Sequence, residues 1–161
     1  MINLFTRFFT HAEPVLAEAN ARDADAFATL HAASFQRGWS DGEFETLLRD
    51  RNVSAHRATS GGSLAGFIIS RLVEGEAEIL SVAVAKSRQG RGLARRLLSL
   101  HLSTLAGRGA LAVFLEVDEA NIPALRLYQR AGFIEVGRRA GYYRDHAGRP
   151  STALVLRRDL A

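Results

Sequence analysis

The chain has 161 residues, 47% of them hydrophobic, with a formal net charge of +4 and no cysteine. That length and apolar content suit one domain around one sizeable core, and the missing thiols exclude disulfides, thiolate metal sites and a cysteinyl acyl intermediate. There is no run of eighteen apolar residues, and the apolar segment Ile2 to Phe9 is broken by Arg7 and followed by His11 and Glu13; the expectation is a cytoplasmic protein that does not engage a membrane.

In chain order, Val15 to Ala19 reads as a first strand and Asp23 to Phe35 as a helix with Ala24, Phe27, Leu30, His31 and Ser34 on its inner side. Ser40-Asp41-Gly42-Glu43 has the form of a capping box and opens a short helix through Phe44, Leu47 and Leu48. Val53 to Thr59 and Leu64 to Val73 read as strands joined at Ser60-Gly61-Gly62, and Glu74-Gly75-Glu76 turns into another that includes Ile79 to Val84. Such short turns make these strands antiparallel. Leu93, Leu97, Leu98, His101, Leu102 and Leu105 recur at helical spacing until Gly107-Arg108-Gly109 stops them. Leu111 to Val117 is then a strand, and its arrival through a helix makes it parallel to the one before. Asn121 suits an N-cap, with Pro123 in the first turn of a helix that ends at Gly132. Phe133 to Tyr143 and Thr152 to Arg158 complete the set around the Asp145-His146-Ala147-Gly148 turn. The fold expected is α/β (α+β): a mixed central sheet of about six to seven strands with about four helices on its two faces. With no linker or repeat, residues 1–161 form a single domain, residues 1–10 being a loose extension.

Chemistry is expected where the strand ending at Val84 meets the helix beginning at Leu93. Gln89-Gly90-Arg91-Gly92-Leu93-Ala94 lies between them, followed by Arg95. Glycines there let a ligand approach the main chain, and a helix N-terminus with free amides binds phosphate. The alternative is an ordinary tight strand-to-helix corner. No Gly-Lys-Ser/Thr follows, and the third glycine of a dinucleotide loop is missing. Lys86 is the single lysine, and the arginines are dispersed except for Arg88, Arg91, Arg95 and Arg96 on this turn. That local charge suits a small polyphosphate better than a nucleic acid, so no direct nucleic-acid partner is expected.

Glu116 interrupts the apolar strand, and alternation sets it with Phe114 and Asp118 on one face, opposite Val113, Leu115 and Val117. A half-buried acid there is either a general base or a carboxylate solvated or bridged to an arginine. Tyr128, in the helix before Gly132, is either a packing tyrosine or a proton donor to a leaving group. Trp39 reads as a structural anchor or a substrate-facing ring. The five histidines are scattered without ligand spacing, so no metal site is expected.

Taken together, Gln89 to Ala94, Leu115-Glu116-Val117, Asn121, Ala124, Leu127-Tyr128 and Gly132-Phe133 resemble the acetyl-CoA motif and following signature of the GNAT N-acetyltransferase superfamily, RimI branch. Trp39-Ser40, Arg138-Arg139 and Tyr142-Tyr143 extend the likeness, whereas Gly38 and Asp118 stand where that branch usually has proline and arginine. The resemblance implies the GNAT fold and acetyl transfer from acetyl-CoA, without a metal, to the N-terminal alanine of a ribosomal protein, by a monomer or weak dimer. It implies that Val82, Ala83 and Val84 meet the pantetheine and acetyl group with their backbone. Gln89, Gly90, Arg91, Gly92, Leu93, Ala94 and Arg95 would hold the pyrophosphate, with Asn121 also on the cofactor. Glu116 would be the base and Tyr128 the acid. A lysine or small-molecule amine as acceptor, or a non-catalytic acyl-CoA-binding domain, remains the alternative.

Overall fold

Two tight turns build the first half of the sheet. Gly61 (φ +59°) and Gly62 (φ +81°) join β2 (Val53–Ser60) to β3 (Ser63–Val73), and Glu74 (φ +50°) with Gly75 (φ +82°) joins β3 to β4 (Glu76–Val84). Successive positive φ angles give the turn whose twist matches two antiparallel strands. In this computed structural model, which describes residues 12–145 and 147–160, β1 (Val15–Glu18) lies outside β2. The expected extension at residues 1–10 and His146 in the last turn lie outside the described residues.

Helix α3 (Leu93–Gly107) carries the chain back so that β5 (Ala112–Asp118) runs parallel to β4, as its position after a crossover requires. After helix α4 (Ile122–Arg130), strand β6 (Ile134–Arg144) takes the sheet edge and β7 (Pro150–Asp159) inserts between it and β5. The order is β1-β2-β3-β4-β5-β7-β6, a mixed sheet of seven strands. Two further helices, α1 (Ala24–Ser34) and α2 (Asp41–Arg49), follow β1. The first starts one residue later than the periodicity predicts, because Asn20 and Asp23 cap a 3-10 turn, Ala21–Asp23, ahead of it. Its inner row ends at His31, and Ser34 is exposed.

The two faces of the sheet carry separate cores. On one, Phe27 of α1 stacks on Phe67 of β3 at 4.3 Å and meets Phe44 of α2 edge-on at 5.8 Å, with Ala55, Ile69 and Ala83 beneath. On the other, Leu93, Leu97, Leu98, Leu102 and Leu105 of α3 pack over Ile68, Ile79, Val113 and Leu115, with Tyr128 and Phe133 beside them.

Strand β4 changes phase between these cores. Ser70 pairs with Ile79 and Ile69 with Ser81, so Leu80 has no partner on β3 and forms a bulge. Before it, Ala77 and Ile79 face α3; after it, Val82 and Val84 do, and Ala83 turns to the phenylalanine side. One inserted residue reverses the alternation and bends the strand. The parallel ladder to β5 stops at Glu78 and Phe114, so the ends of β4 and β5 diverge into a notch.

A polar chain crosses the α3 core. Ser70 Oγ lies 2.7 Å from His101 Nε2, the two Nδ1 atoms of His101 and His56 are 2.7 Å apart, and His56 Nε2 lies 3.3 Å from Thr104 Oγ1, which donates to the Leu100 carbonyl at 3.1 Å. One assignment of hydrogens satisfies every link: Ser70 donates to His101, His101 to His56, and His56 to Thr104, with both rings neutral. Burial and the neighbouring His56 push His101 down to about 3, and burial also lowers His56, against the opposing pull of Glu18. Unfolding exposes rings that take up protons below their ordinary value of 6.5, whereas in the folded chain His101 resists this down to about 3 and His56 is lowered as well. The stabilisation is therefore complete above about pH 7 and is lost as pH falls, at up to roughly 1.4 kcal/mol per pH unit for each fully shifted group. Urea unfolding between pH 7.5 and 5 is expected to show this slope, and His101→Gln to flatten it; an unchanged slope in the variant would move the proton uptake to other groups.

Candidate active site

The end of β4 delivers the chain into the glycine turn. A short 3-10 turn, Lys86–Arg88, leads out of the strand, and Gln89 then folds back so that its side-chain amide donates to the Val84 carbonyl at 3.1 Å. Gly90 (φ +76°) and Gly92 (φ +79°) both take left-handed angles, and a Cβ at either would meet no heavy atom within 4 Å. Backbone conformation, rather than crowding, is what requires glycine there. Gly92 is the N-cap of α3 and supplies no side-chain acceptor, in contrast to Ser40 and Asn121, whose side chains cap α2 and α4. The first amides of a fifteen-residue helix are thus presented beside Arg95 without an internal partner. Such an end binds an anion.

The turn opens onto a cleft of ≈ 1080 Å³ between α3 and α4. Val82, Val84, Gln89, Gly90, Gly92, Leu93, Ala94, Arg95, Asn121 and Tyr128, ten of the residues singled out from sequence, line it. Asn121 has a second task, accepting from the Ala124 amide at 3.3 Å to start α4. Tyr128 is buried with its ring edge on Phe133, 5.6 Å between centroids, and burial pushes its phenol up to about 12. It is a neutral donor at any physiological pH.

Glu116, Arg91, Ala83 and Trp39 are not among the cleft-lining residues. Ala83 is buried in the phenylalanine core. Trp39 stacks on His31 at 4.7 Å, its backbone amide donates to His31 Nδ1 at 3.0 Å, and it borders a separate shallow hollow with Ser40, Glu43 and Leu47. Glu116 lies on β5 opposite the side on which Leu115 and Val117 join Tyr128 in the core. Its carboxylate is 26% exposed and sits 3.4 Å from the Arg139 guanidinium, which lies over the Tyr142 ring at 5.2 Å. Tyr143 is raised by burial first and then by the Glu116 carboxylate. The two acid–base candidates therefore stand on opposite faces of the sheet, and the gap between the ends of β4 and β5 is the break in the sheet between those faces.

Sequence reasoning did not single out Arg126, Arg130 and Arg158 as lining residues. The first two had a signal, an i,i+4 pair flanking Tyr128; Arg158 had none, because its place depends on the insertion of β7.

The profile of the acetyltransferase (GNAT) family matches residues 24–133, from the start of α1 to the end of the α4 segment. The chain belongs to the GNAT family. Within it the sequence is RimI-like: it is 38% identical over 154 residues to the N-alpha-acetyltransferase RimI of Mycobacterium tuberculosis, covering 91% of this chain and 94% of that one. It is also 32% identical over 117 residues to the ribosomal protein bS18 alanine N-acetyltransferase of Escherichia coli K12, covering 73% and 78%. The crystal structure of the E. coli ribosomal-protein-S18-alanine N-acetyltransferase superposes with a TM-score of 0.85 at 26% identity, over 92% of this chain and 94% of the other. Arabidopsis thaliana NAA60, solved with acetyl-CoA bound, shares the fold with a TM-score of 0.78 at 21% identity, over 91% and 98%. This GNAT chain is thus an acyltransferase.

Gly92→Ala forces a side chain into left-handed backbone at the helix cap. The expected cost is roughly 1 kcal/mol of stability, with weaker binding of CoA; thermal unfolding and a CoA titration of the variant measure the two effects.

Proposed function

We propose that this GNAT enzyme is an acetyl-CoA-dependent Nα-acetyltransferase that modifies the N-terminal alanine of a ribosomal protein in the cytoplasm. The observation that carries the proposal is the notch between β4 and β5. It gives a thioester lying along Val82 to Val84 in the α3–α4 cleft an exit towards the face on which Glu116 stands. A donor and an acceptor can thereby enter from opposite sides and meet within the sheet. The likeness to RimI enzymes over nearly the full chain supports the choice of an α-amine.

In this reading the acceptor nitrogen, as the free amine, attacks the carbonyl carbon of the thioester. A C–N bond forms, the C–S bond breaks, the nitrogen gives up its second proton to water, and CoA leaves as the thiolate. Glu116 holds the incoming ammonium and takes its proton, directly or through water, as the substrate cation competes with Arg139 for the carboxylate. An α-amine titrates near 8, so only modest assistance is needed at neutral pH. Backbone amides of the diverging β4 segment stabilise the oxyanion. Tyr128 hydrogen-bonds the sulfur as negative charge develops. A phenol at about 12 is a weaker acid than an ordinary thiol near 8.5, so its main contribution is that hydrogen bond rather than complete transfer of a proton. Positioning of the two substrates contributes the larger part of the rate.

A small-molecule amine is the second reading, favoured by 35% identity over 127 residues to the mycothiol acetyltransferase of Clavibacter michiganensis, of which this match covers 42%. Glu116→Gln and Tyr128→Phe are each expected to lower kcat about 10-fold to 100-fold with the KM for acetyl-CoA little changed; turnover equal to that of the parent in both would remove the assignment. A panel of alanine-starting peptides, their N-terminally blocked lysine-bearing counterparts and small-molecule primary amines discriminates the acceptors. Acetylation of the free alanine amine supports the proposal, and labelling confined to blocked lysine peptides or to the small-molecule amines overturns it.

A further inference from the structure

The cleft between α3 and α4 is one-sided in charge. Arg88, Arg95, Arg126, Arg130 and Arg158 line it, and among the described residues no aspartate or glutamate does. Two of these have other partners: Arg88 donates to Ser60 Oγ at 2.7 Å, and Arg158 to the Ala131 carbonyl at 2.7 Å. Arg95 stands at the amide-rich end of α3, where a diphosphate fits. Arg126 and Arg130 stand on the opposite wall, on α4.

Among the described residues these two arginine side chains have no hydrogen-bond partner. Neither takes part in an ion pair among the described residues. They are four residues apart on a helix that contains no acid, an arrangement that is unfavourable through like-charge repulsion. The favourable field at a helix C-terminus accounts for Arg130 in the last turn, but not for Arg126 one turn earlier. An anion between the two guanidiniums removes the repulsion. A phosphomonoester dianion suits such a pair, because each planar fork can donate two hydrogen bonds to its oxygens.

Resting on the reading of this cleft as an acyl-CoA site, we infer that Arg126 and Arg130 bind the 3′-phosphate of the CoA ribose and make this enzyme select 3′-phosphorylated acyl donors. The glycine turn and Arg95 then serve the diphosphate, and α4 serves the third phosphate across the cleft. Acyl donors that carry only phosphopantetheine, or that lack the 3′-phosphate, forgo the α4 contacts.

Calorimetric titration with CoA and with 3′-dephospho-CoA tests this on the full chain and on the Arg126→Gln/Arg130→Gln double variant. An Arg22→Gln/Arg37→Gln variant of equal net charge, altered on exposed residues outside the cleft, serves as control. The parent and the control are expected to prefer CoA by about tenfold or more. The double variant is expected to lose that preference while its affinity for 3′-dephospho-CoA and its melting temperature are kept. Four results overturn the inference: a parent that binds both ligands alike, a double variant that still discriminates, one that loses both ligands equally, or a control that loses the preference too. If the parent binds neither ligand, the acyl-CoA reading of the cleft fails first and the inference with it.

Discussion

The structure turns on one inserted residue. Leu80 has no counterpart on β3, and the bulge it makes rotates the second half of β4 relative to the first. A regular β4 would keep its ladder with β5 along the full length, closing the sheet between the two cores. Val82 and Val84 would then point away from α3, and there would be no exposed backbone edge for a ligand. The cost is a run of strand without a parallel partner. It is tolerated because β3 continues to pair with β4 through Val84, and because β7 pairs with β5 from Ala112 to Asp118. The outer strands hold the inner two apart.

This division also separates structural from chemical duties. The phenylalanine core is aromatic and packed under α1 and α2. The α3 core is interrupted by the Ser70–His101–His56–Thr104 chain, which ties that helix to β2 and β3 with directional bonds rather than with hydrophobic contact alone. Hydrophobic packing lets a helix slide by fractions of an ångström, whereas a chain of hydrogen bonds fixes its rotation and height. The amides at the N-terminus of α3 must be aimed at a ligand, so this fixity serves the site.

Much of this was legible in the chain. The Ser40–Glu43 cap, the two glycine hairpins and the α3 heptad-like row come from local spacing, and the structure reproduces them within a residue or two. Alternation along β5 correctly set Glu116 with Phe114 and apart from Leu115. Three features were not legible, for physical reasons. The bulge falls within Ile79-Leu80-Ser81-Val82, where apolar residues face both cores and so leave no broken pattern. The insertion of β7 between β5 and β6 is a long-range pairing. The opposition of Glu116 and Tyr128 depends on how α4 is rotated against the sheet, which neither segment encodes alone. The Arg139–Glu116 ion pair follows from that same late pairing.

The position of β7 has a consequence for biogenesis. Beyond Phe114 the strand bearing Glu116 has no ladder to β4, and the neighbour that holds it is the strand made last among the described elements. The glycine turn, α3 and the first four strands are complete some forty residues of synthesis earlier. Yet neither the α3 core, which takes in Leu154 and Leu156, nor the cleft, which takes in Arg158, is complete before that last strand inserts. The cleft and the strand bearing Glu116 are thus finished by one and the same late event.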